Sequence, residues 1–382
     1  MDVPSLKQDH PQKQYFKSLC RLMFYLGMGD LWYEKTKVSY YTKKIYAAWM
    51  IVANGFVIVI LFDELLSFAR TDLTDREKND LVQFTFAHPL IYGKVVTLYI
   101  WKSRIKVVME RLLEGSRPIF HSLELEKMSV KQFAKNCFAL TAVCYVTLGT
   151  ISLPGIPVRT EVVYFPNSSQ TGFFINVLRF FKEFHWYYIV AMMATMDCLV
   201  LCSLITVGHK FRVLRLYFDQ LRIRILENKE QKPTKELAEE FKKDFVVGIK
   251  LHSDALWCAR NVQHSMGPLY SIQVMESVAL LVMCLVKLVA ERNITYLLAT
   301  SAYIFCLIVL TGSYMMVAGD ITHEASLVGT AMFHSGWEEC RPGPDLRVLV
   351  VVALQMSQVP VYMTAFGVIT LSHTNFISVS FQ

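Results

Sequence analysis

The sequence predicts an all-α fold: a polytopic membrane protein of seven transmembrane helices with a cytosolic helical anchor region. Three observations predict it. Apolar runs of spanning length recur from one end of the 382-residue chain to the other. The composition is 53% hydrophobic and only 19% charged, with a mean hydropathy of +0.34, outside the usual range of soluble domains. Lys and Arg gather in alternate connections between the apolar runs.

A spanning helix needs ~20 mostly apolar residues, because the hydrocarbon core is ~30 Å thick and each helical residue rises ~1.5 Å. Lipid offers the backbone no partners, so each run is read as a helix. The first span is Ile45–Phe62, uncharged until Asp63. The second, Leu81–Trp101, contains Lys94. The third is Phe138–Pro157, and the fourth is His185–Val207 with Asp197 inside it. The fifth, Gly267–Val289, carries Glu276 and Lys287. The sixth, Thr295–Gly319, has no charge. The seventh, Val348–Phe381, is too long for one straight helix and is expected to break at Pro360, where the ring removes a donor. The chain thus divides into an N-terminal segment 1–44, spans one to four in 45–209, a helical connection 210–263, spans five and six in 264–319, an anchor helix 320–347 and the last span in 348–382.

Loop charge sets the orientation. The N-terminal segment holds eight Lys and Arg, the 2–3 connection seven (Lys102 to Lys131) and the 4–5 connection twelve (Lys210 to Arg260). The 1–2 connection has three, Arg70, Arg76 and Lys78, against six acids. The N-terminus and the basic connections are therefore expected in the cytosol, and an odd number of spans leaves the C-terminus outside. Two glycosylation sequons, at Asn167 and Asn293, fall in connections assigned to the outside. The net charge of +7 is distributed as the anionic face of a membrane requires, which argues against a nucleic-acid partner. The N-terminal residues lack the apolar core of a secretory signal.

The 4–5 connection is predicted to be structured. Residues 210–227 alternate Leu, Val and Ile with Arg, so the fourth span is expected to continue into the cytosol as an amphipathic helix. Pro233 ends it, and Thr234 is placed to cap the next helix. Nine scattered cysteines with no CxxC pair imply neither a disulfide framework nor a zinc site. No cofactor motif appears. HExxH and GxSxG are absent, and the ten histidines are dispersed, so no enzyme chemistry is read here. A G-protein-coupled receptor would need an outside N-terminus. A secondary transporter would favour an inverted repeat with two broken helices, and only one span looks broken. Lys94, Asp197 and Glu276 lie inside spans, where charge is costly. Mutual pairing is the expectation, with a ligand or ion role as the alternative.

The C-terminal third carries the most specific pattern. It reads ASLVGTAMFHSGW from Ala325, then Arg347, then LQMSQVPVYMTAFGVITLSHTNF. With Ser326, Ala331, Phe333, Trp337, Arg347, Gln355, Pro360, Gly367, Leu371 and Phe376 in place, this resembles the insect odorant receptor family. The TY…QF signature of gustatory receptors, which share the fold, is absent. The resemblance implies an odorant-gated cation channel: a heterotetramer in which a divergent subunit binds a small volatile ligand and a shared odorant co-receptor subunit completes the pore. It implies the plasma membrane of an olfactory neuron dendrite. Family members usually extend beyond the position matching Gln382, so the outer end of the pore lining is expected to be missing.

Site expectations follow from that resemblance. A small odorant needs a closed, largely apolar cavity with a few orienting groups, expected in the outer halves of spans two, three, four and six. The candidates are Phe84, Phe86, His88 and Tyr92; Tyr145, Gly149 and Ile151; Trp186, Tyr188, Met192 and Met196; and Tyr296 and Tyr303. Aromatics at span ends also form interfacial belts, which is the competing reading for each. Thr370, Ser372, Thr374, Asn375 and Ser378 are expected to line the pore, with close packing of small residues as the alternative. Trp337, Arg347, Gln355 and Pro360 are assigned to the anchor between subunits, and an arginine buried there would favour a bidentate acidic partner.

Overall fold

The computed structural model describes residues 11–375 apart from 35–38, 117–118, 120–122, 152–161, 163, 166–170, 291 and 342. Eight α-helices account for nearly all of it: α1 Pro11–Tyr25, α2 Tyr40–Ser67, α3 Asp75–Glu114, α4 Leu123–Ile151, α5 Phe173–Asn228, α6 Thr234–Ala290, α7 Ile294–Phe333 and α8 Pro344–Ser357. A short 3₁₀ turn, Trp337–Cys340, precedes α8, and a small antiparallel hairpin, β1 Met363–Ala365 and β2 Ile369–Leu371, follows it.

Helix starts are written locally. Thr74 and Glu77 make a capping box on α3: the Thr74 hydroxyl accepts from the Glu77 N–H at 3.3 Å, and the Glu77 carboxylate accepts from the Thr74 N–H at 2.8 Å. The Asn293 side chain caps α7 by accepting from the Thr295 N–H at 2.9 Å. The sequon asparagine thus also serves as a helix cap. At α6 the expectation shifts by one residue. Pro233 supplies the carbonyl that Leu237 N–H donates to, and Thr234 is already the first helical residue.

Helices α5, α6 and α7, of 56, 57 and 40 residues, are longer than any bilayer requires. α5 runs unbroken from the fourth apolar run into the basic connection, as the amphipathic pattern predicts. Ion pairs fix the antiparallel packing. At one end Lys287 of α6 bonds Asp80 of α3, and Lys182 of α5 reaches Asp63 of α2 at 2.5 Å. At the other end Asp254 of α6 accepts from Arg111 of α3 at 2.6 Å and Lys210 of α5 at 2.8 Å. Asp80 and Arg111 are ~46 Å apart along α3 at ~1.5 Å per residue, so the second cluster lies beyond the far edge of a ~30 Å hydrocarbon core. Burial raises the affinity of Asp254 for a proton, but Lys210 and Arg111 outweigh it and hold the carboxyl below its ordinary range.

The layer at the Asp254 end of the bundle is tightly packed. Phe218 of α5 packs on Phe245 of α6 with ring centroids 5.6 Å apart, and Phe211, Tyr217, Leu221 and Phe241 are fully buried with them in one core. Gly248 makes the approach possible, since a Cβ there would lie 2.5 Å from the Phe218 ring. The N-terminal segment joins this layer. α1 buries Phe16, Leu19, Cys20 and Met23, and Met28 and Leu31 follow it into the core. Lys13 pairs with Glu34 at 2.6 Å and Glu114 at 3.0 Å, and these carboxylates strengthen its hold on its proton. Nothing in the hydropathy of 1–44 announced this helix.

The last expected span is corrected. α8 ends at Ser357, and residues 363–371 form the hairpin instead of continuing as a pore helix. Pro360 stops the helix, and Phe366 and Gly367 turn with positive φ, 55° and 72°. The hairpin is tied to α6: the Thr364 N–H donates to the Gln263 side chain at 3.0 Å and the Phe366 N–H to Ser271 Oγ at 2.8 Å. Gly319 of α7 leaves room for His373, whose ring a Cβ would meet at 2.5 Å. The nine cysteines are buried free thiols.

Candidate functional site

A cavity lies among α3, α5, α6 and α7. α3 contributes Phe84, Ala87, His88 and Ile91; α5 Trp186, Ile189, Val190 and Met193; α7 Tyr303, Cys306, Leu307 and Leu310. α6 adds Glu276. The space between atoms is about 500 Å³, counted with the mouth and the open solvent in it. It lies nearer the Asp80–Lys287 end of the bundle than the Asp254 end, since Phe84 is one turn from Asp80 and Trp186 one turn from Lys182.

The aromatic wall is ordered by ring contacts. Phe84 meets Trp186 edge to face at 5.4 Å and stacks on His88 at 5.6 Å, geometries that favour rings beyond their buried area. His88 is held by Glu64 of α2, with Nδ1 and Oε1 2.7 Å apart. Beside the cavity the three charges inside spans converge. Lys94 Nζ is 2.9 Å from Glu276 and 3.6 Å from Asp197, bonds Gln273, and is fully buried. Tyr314 donates to Asp197 at 2.8 Å. Pairing, the expectation for these residues, is what the bundle core contains. It ties α3, α5, α6 and α7 together in a medium where an unpaired charge is expensive.

Of the expected ligand-facing residues, Phe84, His88, Trp186 and Tyr303 line the cavity. The others do not meet there. Phe86 faces outward, 37% exposed. Tyr92 donates to Asn54 of α2 at 3.2 Å. The Tyr145 hydroxyl lies 3.1 Å from Thr195, and Tyr188 donates to the Leu26 carbonyl at 2.6 Å, fastening the N-terminal segment. Met192 and Met196 are buried in the core and do not line the cavity. Tyr296 sits under Arg76 in a separate polar recess with Asp80 and Lys287. Asn167, Ser378 and the side chains of Gly149 and Ile151 lie outside the described residues.

The missed residues follow a register that was available. Steps of three, four and seven from Trp186 give Ile189, Val190 and Met193. The same steps from Phe84 give Ala87, His88 and Ile91, and from Tyr303 they give Cys306, Leu307 and Leu310. Choosing aromatic and Met residues by type mixed several helix faces.

The expected pore residues lie in and after the hairpin. The Thr370 carbonyl accepts from the Asn375 side chain at 2.6 Å, and Ser372 Oγ accepts from the Asn375 N–H at 3.2 Å. Local capping therefore occupies polar groups expected to face a water path, and Thr374 is exposed beside them. In the anchor region Trp337 donates to the Phe333 carbonyl at 2.9 Å and packs on the core. Arg347 and Gln355 lie on the exposed side of α8 and not in the interior. Pro360 lines a groove of about 1050 Å³ between α7 and α8, with Phe333, Val359 and Tyr362.

Comparison with known proteins places this geometry. No curated protein matches the chain. The structure resembles the insect olfactory receptor OR5 from Machilis hrabei, solved in complex with eugenol, with a TM-score of 0.73 over 97% of this chain and 95% of that one, at 10% sequence identity. That likeness shows a shared fold, an all-α membrane bundle. The family model described as 7tm odorant receptor matches residues 89–380, and the chain belongs to that family.

Proposed function

We propose that this odorant receptor binds a small volatile molecule in the cavity among α3, α5, α6 and α7, and that binding gates a cation channel formed with a shared co-receptor subunit. The observation that carries the reading is the cavity itself. Its walls are apolar and aromatic, its polar groups are few, and it lies inside the bundle where a hydrophobic ligand would be drawn from water. The comparison receptor was solved in complex with eugenol.

The fold also supports a plasma-membrane protein with its N-terminus in the cytosol. α1, the Asp254 cluster and the basic α5–α6 turn share one end of the bundle, which favours the cytoplasmic face under the charge rule. The groove between α7 and α8, which Pro360 lines, is assigned to contact with the co-receptor together with Trp337, Arg347 and Gln355. Thr370, Ser372, Thr374, Asn375 and Ser378 are assigned to the pore only within that assembly, where a partner would replace the local hydrogen bonds. The test is co-expression with the co-receptor in a cell that lacks other receptors. Odorant-evoked cation current that requires both subunits is expected. Surface-expressed receptor that neither binds any volatile nor yields current would refute the reading.

A further inference from the structure

His88 holds one nitrogen against a carboxylate and turns the other toward the cavity. Its Nδ1 is 2.7 Å from Glu64 Oε1. A carboxylate only accepts, so Nδ1 carries a hydrogen, and an uncharged imidazole in that tautomer offers a lone pair at Nε2. The residue is 5% exposed, it lines the cavity, and among the described residues Nε2 has no hydrogen-bond partner. Buried acceptors without partners are rare and unfavourable, so a ligand that supplies a donor gains more here than in water.

The surroundings select among donors. Glu276 is the carboxylate of the lining, and Lys94 already lies 2.9 Å from it. An ammonium ligand would have to compete with a built-in one. A neutral hydroxyl meets no such competitor and needs only the single acceptor that His88 offers. Phe84 and Trp186 flank the imidazole at ring-centroid distances of 5.6 Å and 6.1 Å, giving the rest of the ligand an apolar seat.

We propose that His88 is a specificity-determining residue that makes this receptor prefer small alcohols or phenols, whose hydroxyl donates to Nε2, over equally sized molecules without a donor. The proposal rests on the cavity reading above. Its test uses four probes of nearly one size: 2-phenylethanol, its isomer benzyl methyl ether, acetophenone and 2-phenylethylamine. Binding is read on the purified chain by thermal shift and by the fluorescence of Trp186, and gating is read as current in co-expressing cells. The alcohol is expected to bind at least ~10-fold more tightly than the ether or the ketone, the effect of leaving a buried acceptor unpaired. In the double variant Glu64→Leu, His88→Phe that preference should fall to within about 2-fold, with the ether still bound. Equal binding of ether and alcohol to the unmodified chain would overturn the proposal while leaving the cavity reading standing. Preference for acetophenone would overturn it by showing that Nε2 donates, and preference for the amine would overturn it by moving recognition to Glu276. Failure of the purified chain to bind any of the four would overturn both readings together.

Discussion

Helices α2 and α5 are about equally apolar and occupy opposite environments. The most apolar 18 residues of α5 are 89% buried within the protein; those of α2 are 17% buried. α2 presents Ile51, Val52, Val59 and Phe62 outward, toward lipid. α5 stands at the centre, and its run contains Thr195, Asp197, Ser203 and Thr206. Ser203 and Thr206 donate to carbonyls one turn back at 2.7 Å, so they enter the core with their hydroxyls satisfied. Hydropathy shows that a segment crosses; small and polar residues within it show that other helices surround it.

The contrast can be broken most directly at the charges. Lys94→Leu removes the cation between Asp197 and Glu276 and should cost about 3–5 kcal/mol, seen as loss of the monodisperse species in detergent. Retention of the wild-type melting temperature would mean that the pairing is not structural. A second, smaller effect is expected in the layer at the Asp254 end. Gly248→Leu forces a side chain against Phe218 and Tyr217 and should cost about 1–3 kcal/mol, read as a lower melting temperature with the cavity intact.

Acid should separate the two helices further. His209 of α5 and His252 of α6 are both pushed down to about 4, by burial in each case and by Arg212 as well for His209. An unfolded imidazole takes its proton near ~6.5. Between those values the unfolded chain binds more protons, so stability should fall as pH drops from about 6.5 to about 4 and level off below. The double variant His209→Phe, His252→Phe should flatten melting temperature against pH across that window. α2 contains no histidine, so no imidazole of its own enters that slope. The smallest effect belongs to its lipid face: Ile51→Ala, at a position 74% exposed, should move stability by no more than ~0.5 kcal/mol.

The legible parts of the fold were those with local causes. Apolar runs located α2, α5, α6 and α7, which are long and apolar enough to cross a membrane, the Leu–Arg alternation after Val207 gave the extension of α5, and Pro233 gave the turn into α6. α1 was missed because its four buried residues sit among Lys and Gln, and it becomes a core element only through long-range contacts with α5 and α4. The hairpin was missed because residues 361–371 are apolar enough for a span. Pro360 and Gly367 signal a break, but the partners that make a hairpin favourable, Gln263 and Ser271, are ~90 residues away or more in the chain. In the cavity, residue type alone found Phe84, His88, Trp186 and Tyr303. Helical register from those four would have found the apolar lining beside them. The tilt of His88 by Glu64 was beyond reach, since it depends on how α2 leans on α3.

Filling the cavity tests the central claim most directly. Val190 lines it and Val59 faces lipid. Odorant binding to purified wild-type, Val190→Phe and Val59→Phe receptors should be measured side by side at matched folding. The expected result is binding lost or weakened at least ~10-fold in Val190→Phe, where the ligand's volume is taken, and unchanged in Val59→Phe. Equal binding by a folded Val190→Phe receptor would show that odorants bind elsewhere.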